Sequence, residues 1–132
     1  MVCLKTDRSY TGLRGQVVKG KRRGLVNGIN VIEFDLEYSN SSNFLKRSWV
    51  FFQFSFKSLL LAFQVDYDLI FATSTPLTIS IPGIAAKLFI GKPFLFEVRD
   101  LWPELPKAMG IVRNPVLLFF LSALELVSYK SA

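Results

Sequence analysis

Between Lys92 and Gly110 the chain reads KPFLFEVRDLWPELPKAMG, and an apolar run, Pro93 to Val98, ends on Arg99-Asp100. Those two residue types carry chemistry. An arginine holds phosphate or carboxylate in a planar fork of donors. An aspartate deprotonates a hydroxyl or holds a sugar hydroxyl by hydrogen bonds. The plain alternative is an ion pair that fixes a loop. Trp102 offers a ring for stacking, although Trp102-Pro103 serves equally as a packed corner. Glu97 interrupts the apolar run and needs a partner if it is buried. Glu104 opens the following turn, where a helix dipole favours it. A second candidate cluster is Thr73-Ser74-Thr75, three hydroxyls beside a helix start, suited to an anion or to ordinary capping.

Other chemistries are excluded by composition. The 132 residues contain no histidine and one cysteine, Cys3. A Ser-His-Asp triad, a histidine base, a Cys-His zinc cluster and an internal disulfide are therefore impossible within them. There is no Gly-x-Gly-x-x-Gly and no Walker loop, so no dinucleotide or nucleoside triphosphate site is indicated. The first residues lack an apolar core and do not read as a secretory signal.

The net charge is +6. Residues 1–23 account for all of it, with Lys5, Arg8, Arg14, Lys19, Lys21, Arg22 and Arg23 against Asp7. Such a segment suits anionic lipid, a phosphorylated substrate or nucleic acid, or is simply a solvated surface. Nucleic acid is the weakest of these, because no zinc-finger spacing or RNA-binding aromatic motif accompanies the charge.

The elements that must position these residues follow from pattern. Residues 16–36 read as two strands around Asn27-Gly28, a hairpin signal. A polar loop, Tyr38 to Asn43, is placed to cap a helix at Ser42 or Asn43. Phe44 to Gln64 reads as a helix on which Lys46, Gln53, Lys57 and Gln64 form one narrow stripe among Phe, Trp and Leu. Its polar interruptions argue against a membrane span; it reads as a helix on a sheet, an interfacial helix, or both. The expected membrane contacts are Lys46, Arg47, Trp49 and Lys57.

A short apolar strand, Leu69 to Ala72, leads into the Thr-Ser-Thr loop. A helical stretch with an early Pro82 follows, then the apolar Lys92–Val98 segment. The last helix has Asn114 at its cap and Pro115 at its first position. Strand, helix, strand, helix with apolar strands predicts an α/β fold: a Rossmann-like parallel sheet with helices on both faces. Ligands of such sheets bind at the carboxyl ends of the strands, which is where both candidate loops fall.

Taken together, YDLIFATSTPLTISIPGIAAKLFIGKPFLFEVRDLWPELPKAMGIVRN resembles the N-terminal, acceptor-side domain of glycosyltransferase family 4. It is similar to the bacterial branch that builds cell-surface polysaccharides. PFLFEVRDLWPE matches that branch's Pro-Phe-x-Phe-Glu-Val-Arg-Asp-Leu-Trp-Pro-Glu pattern. ATSTPL is similar to its Ala-Thr-Ser-Pro-Pro-Leu, with Thr75 where a proline is usual. YTGLRG and NGINVIEFDL carry a weaker upstream likeness.

The resemblance implies one half of a GT-B enzyme, with two Rossmann-like domains and a site in the cleft. It implies transfer from a nucleotide-sugar donor to a lipid-linked saccharide acceptor, with no metal and no other cofactor. Related members have His-Asp where this sequence has Arg99-Asp100, which places both at the reacting sugar. Thr73, Ser74 and Thr75 match a cleft loop, with Trp102 and Glu104 beside it as substrate contacts. The family's first strand with its Gly-rich loop finds no match, nor does its donor-binding domain. The expectation is a partial domain over residues 1–132, peripheral on the inner face of the cytoplasmic membrane. The rival expectation is a non-catalytic piece that binds a membrane or a partner.

Overall fold

A computed structural model describes residues 1–6, 11–39, 41–74 and 76–132. Asp7 and Arg8 of the basic segment, Tyr10 and the candidate residue Thr75 lie outside them. The chain divides into two compact units, Met1–Phe54 and Ser55–Ala132.

The first unit is a three-stranded sheet with the start of a helix. Strands β1 (Val2–Thr6), β2 (Lys21–Val26) and β3 (Ile29–Tyr38) lie in the order β1-β3-β2. The expected hairpin is β2–β3, paired antiparallel from Lys21↔Phe34 to Val26↔Ile29. Asn27 and Gly28 both take positive φ, 49° and 81°, as the tight right-twisting turn requires. β1 was not expected. It pairs parallel to β3, and the Met1 carbonyl accepts from the Ile32 N–H at 2.8 Å.

Helix α1 (Phe44–Ala62) starts directly after Asn43, whose carbonyl accepts the Arg47 N–H. Within the first unit it sets Phe54 edge-on against Phe34, centroids 5.8 Å apart, and Phe51 against Tyr38. Ile32, Phe34, Leu36, Val50 and Phe54 are buried there. On the opposite face of the sheet Leu13 covers Gly24, where a Cβ would come within 2.8 Å of its Cδ2.

The second unit contains the predicted strand–helix–strand–helix run. β4 (Ile70–Thr73) is followed by a 3-10 turn (Leu77–Ile79) and α2 (Ser80–Ile90). Then come β5 (Phe94–Glu97), the short α3 (Glu104–Ala108) and α4 (Pro115–Ser131). β4 and β5 pair parallel in the register Ile70↔Phe94 to Thr73↔Glu97. Pro82 is the third residue of α2, inside the first turn whose N–H groups have no helical acceptor. The Asn114 side chain accepts the Val116 and Leu117 N–H groups, with Pro115 at the first helical position.

The core of this unit is Ala72, Ile84 and Phe94, with Ile70, Ile79, Phe96 and Leu124 packed around it. Gly83 is essential to that packing, since a Cβ there would meet the Phe94 ring. Ser128 and Ser80 hydroxyls, both buried, lie 2.7 Å apart and join α4 to α2.

The fold is thus mixed α/β, and two parts of the expectation need correction. The strands form a three-stranded mixed sheet and a two-stranded parallel sheet, not one parallel sheet. Nor, among the described residues, are helices found on both faces of the β4–β5 pair. Ala72 and Phe94 are buried beneath them, whereas Phe71 and Leu95, on the other face, are 62% and 53% exposed. The apolar character of both strands, read as two-sided burial, reflects one buried and one open face. Among the described residues no helix is long and apolar enough to cross a membrane.

Candidate functional site

The candidate site is built from the two carboxyl ends of β4 and β5. Parallel pairing brings them side by side, and one residue ties them. Ser74 follows β4 directly and is 1% exposed. Its N–H donates to the Glu97 carbonyl at 2.8 Å, extending the ladder by one bond. Its Oγ accepts the Arg99 N–H at 2.8 Å and lies 3.4 Å from the Asp100 N–H. The serine hydroxyl therefore does for the loop after β5 what the ladder does for the strands. Both of these Oγ contacts are to backbone N–H groups of the protein itself.

The other candidates sort by exposure. Arg99 is exposed and Asp100 half-buried. Thr73 is half-buried and stands opposite Glu97 in register. Cross-strand neighbours share a face, so both belong to the open face with Phe71 and Leu95. Glu97 is exposed, so the condition under which it would need a partner is not met. Trp102 is half-buried above the buried Pro103, and Glu104 is exposed in the first turn of α3. The arrangement places a carboxylate, a guanidinium and a half-buried indole on one strand-end loop, fixed by Ser74. Chemically, that set can orient a hydroxyl, hold an anionic group and cover a ring.

Two further residues border this loop that sequence reasoning did not single out. The Tyr129 hydroxyl on α4 donates to Glu125 Oε1 at 2.9 Å, and its ring lies 6.2 Å from that of Phe96 on β5. Burial, then Glu125 and Glu104, raise the Tyr129 pKa, so it stays a donor at neutral pH. The i, i+4 spacing of Glu125 and Tyr129 was the available signal.

In the first unit, Glu33 is 2% exposed at the centre of β3. Arg22 Nε donates to its Oε1 at 2.9 Å, its Nη2 forms an ion pair with the same oxygen, and Thr11 Oγ1 donates to Oε2 at 2.6 Å. Burial works to raise this carboxyl's pKa, but the Thr11 and Arg22 hydrogen bonds and the nearby positive charge outweigh it and hold it low. Cys3, the cross-strand neighbour of Glu33, has its thiol pKa pushed up by burial and then by that carboxylate. A protonated, half-buried thiol is a poor nucleophile. Among the described residues no three His, Cys, Asp or Glu side chains converge as metal ligands.

Of the expected membrane contacts, Lys46 and Trp49 are exposed and Lys57 is half-buried. Arg47 turns inward: its guanidinium lies 5.8 Å from the Tyr38 ring centroid, with Nη2 3.4 Å from the Tyr38 hydroxyl.

No family model matches the sequence, and neither a curated protein nor a solved structure matches it.

Proposed function

We propose that this chain is the acceptor-holding part of a sugar-transfer enzyme of the glycosyltransferase family 4, GT-B type. Its second unit would present the loops after β4 and β5 to a lipid-linked saccharide, at the inner face of the cytoplasmic membrane. A nucleotide-sugar would be held by a second domain. The observation that carries the reading is the coincidence of motif and position. The segment most similar to the family, Pro93 to Glu104, supplies the loop at the carboxyl end of a parallel strand, where α/β sheets bind ligands. In this reading Asp100 orients or deprotonates the acceptor hydroxyl, and Arg99 holds the acceptor's phosphate or steadies that carboxylate. Thr73 and Trp102 flank the sugar, and Glu104 hydrogen-bonds its outer hydroxyls. The reading assigns Ser74 to scaffold.

The test is acceptor binding followed by amide chemical shifts. A short-chain prenyl-pyrophosphate-linked monosaccharide is titrated into the chain. Shifts concentrated in residues 73–74 and 97–104, weakened by about tenfold in Asp100→Asn, support the reading. Shifts absent from both loops at millimolar ligand end it, and leave the chain as a non-catalytic partner- or membrane-binding piece.

A further inference from the structure

Helix α1 buries one side and leaves an apolar stripe on the other. Val50 and Phe54 are buried, and Phe54 packs on Phe34 of β3. On the opposite side Leu45, Trp49 and Phe52 are 80%, 60% and 52% exposed. Steps of four and three residues hold them within roughly 60° of helical arc. Trp49 and Phe52 stack with centroids 5.8 Å apart, forming a continuous aromatic surface rather than separate side chains.

The border of this stripe is cationic. Lys46 is exposed next to Leu45. β2, at one edge of the sheet, carries further cations on the side of the sheet that α1 packs against. Lys21 pairs with Phe34 and Arg23 with Ile32. Paired residues share a face, and Phe34 touches α1, so Lys21 and Arg23 leave the sheet on the side that α1 covers. Both are exposed, as is Leu25 two residues on. Lys21, Arg23 and Lys46 form no ion pair among the described residues.

We infer that this face of the first unit docks on an anionic lipid surface, with α1 lying in the interface plane. The stripe would enter the headgroup boundary, and Lys21, Arg23 and Lys46 would meet lipid phosphates. An aromatic stripe with Lys46 beside it and further cations on the same side of the sheet is what such a boundary favours, apolar below and anionic above. Charge complementarity selects lipid over a second copy of the chain. An isologous pairing through the stripe would bring Lys21, Arg23 and Lys46 against their own symmetry mates. The inference stands on exposure and charge, independently of any sugar transfer.

The experiment is vesicle flotation of the full chain, with phosphatidylcholine vesicles against the same lipid containing a quarter phosphatidylglycerol. The chain floats with the anionic vesicles and much less with the neutral ones. Trp49→Ser with Phe52→Ser weakens binding by about tenfold or more, from lost apolar area. Lys21→Gln, Arg23→Gln and Lys46→Gln together do the same on anionic vesicles and nothing on neutral ones. Thermal melts confirm that both variants fold, as expected for exposed positions. Tryptophan emission shifts to the blue on vesicles in Trp102→Phe but not in Trp49→Phe. Equal flotation on both vesicle types, or binding unmoved by either variant, overturns the inference. So does a dimer that Trp49→Ser converts to monomer, which would make a second copy the occupant. Binding to single-stranded RNA without vesicle binding would also overturn it.

Discussion

The Ser74 hydroxyl accepts the Arg99 N–H at 2.8 Å, joining the loop after β4 to the loop after β5. Two segments 25 residues apart are thereby set by one buried oxygen. Every residue assigned a ligand-facing role on the second loop depends on that tie for its place.

Replacing Ser74 with alanine removes the side-chain acceptor of the part-buried Arg99 N–H. The expected cost is about 1–3 kcal/mol. Amide exchange at Arg99 and Asp100 should rise by more than at Phe94 to Phe96. An unchanged denaturation midpoint with unchanged exchange at both amides would show that the tie contributes nothing.

In a transfer-competent two-part enzyme containing this chain, Asp100→Asn should lower kcat by about 10²–10⁴ while leaving the melting temperature alone. The substitution keeps shape and removes charge. Activity and melting temperature falling in step would instead make Asp100 part of the Trp102-Pro103 corner.

Glu33 makes stability depend on acid. Its pKa is depressed in the folded state relative to about 4.3 unfolded. Its contribution is therefore fully present above the unfolded value and is lost as pH falls through the folded one. Glu33→Gln should cost roughly 3 kcal/mol at pH 7, because it leaves Arg22 without its counter-charge. Urea midpoints of the two proteins should converge as pH falls below the unfolded value and through the depressed folded one. A constant gap down to pH 2 contradicts the assignment.

Gly83→Ala should destabilise despite the better helix propensity of alanine, by about 1–2 kcal/mol net, since the new methyl meets the Phe94 ring. Adding Phe94→Leu should recover part of that loss relative to the sum of the single changes. Strict additivity in the double-mutant cycle would mean that the two positions do not touch.

Local features were legible because local chemistry dictates them. Asn27-Gly28 takes positive φ at both positions, which few other pairs tolerate, and the hairpin follows. Asn114-Pro115 starts α4 for a similarly local reason: a side-chain acceptor and a preset φ. The apolar runs at 70–73 and 94–97, separated by a helix, fixed a parallel pair with both candidate loops at one edge.

Partnering between distant segments was not legible. β1 is a five-residue strand whose place beside β3 depends on residues about 30 positions away, and nothing in its own pattern names them. Glu33 looks like any polar residue of a hairpin until tertiary folding brings Thr11 and Arg22 to its two oxygens. Ser74 reads as one of three hydroxyls; only the register of β4 on β5 selects it as the tie. Periodicity shows that α1 is apolar around most of its circumference. Which side is buried is decided by Phe54 meeting Phe34, and that contact leaves Trp49 and Phe52 facing outward. Sequence sets what each segment can do by itself, because φ/ψ preferences and capping act over a few residues. Packing decides which of several equally apolar faces is used, because burial depends on a partner that lies far along the chain.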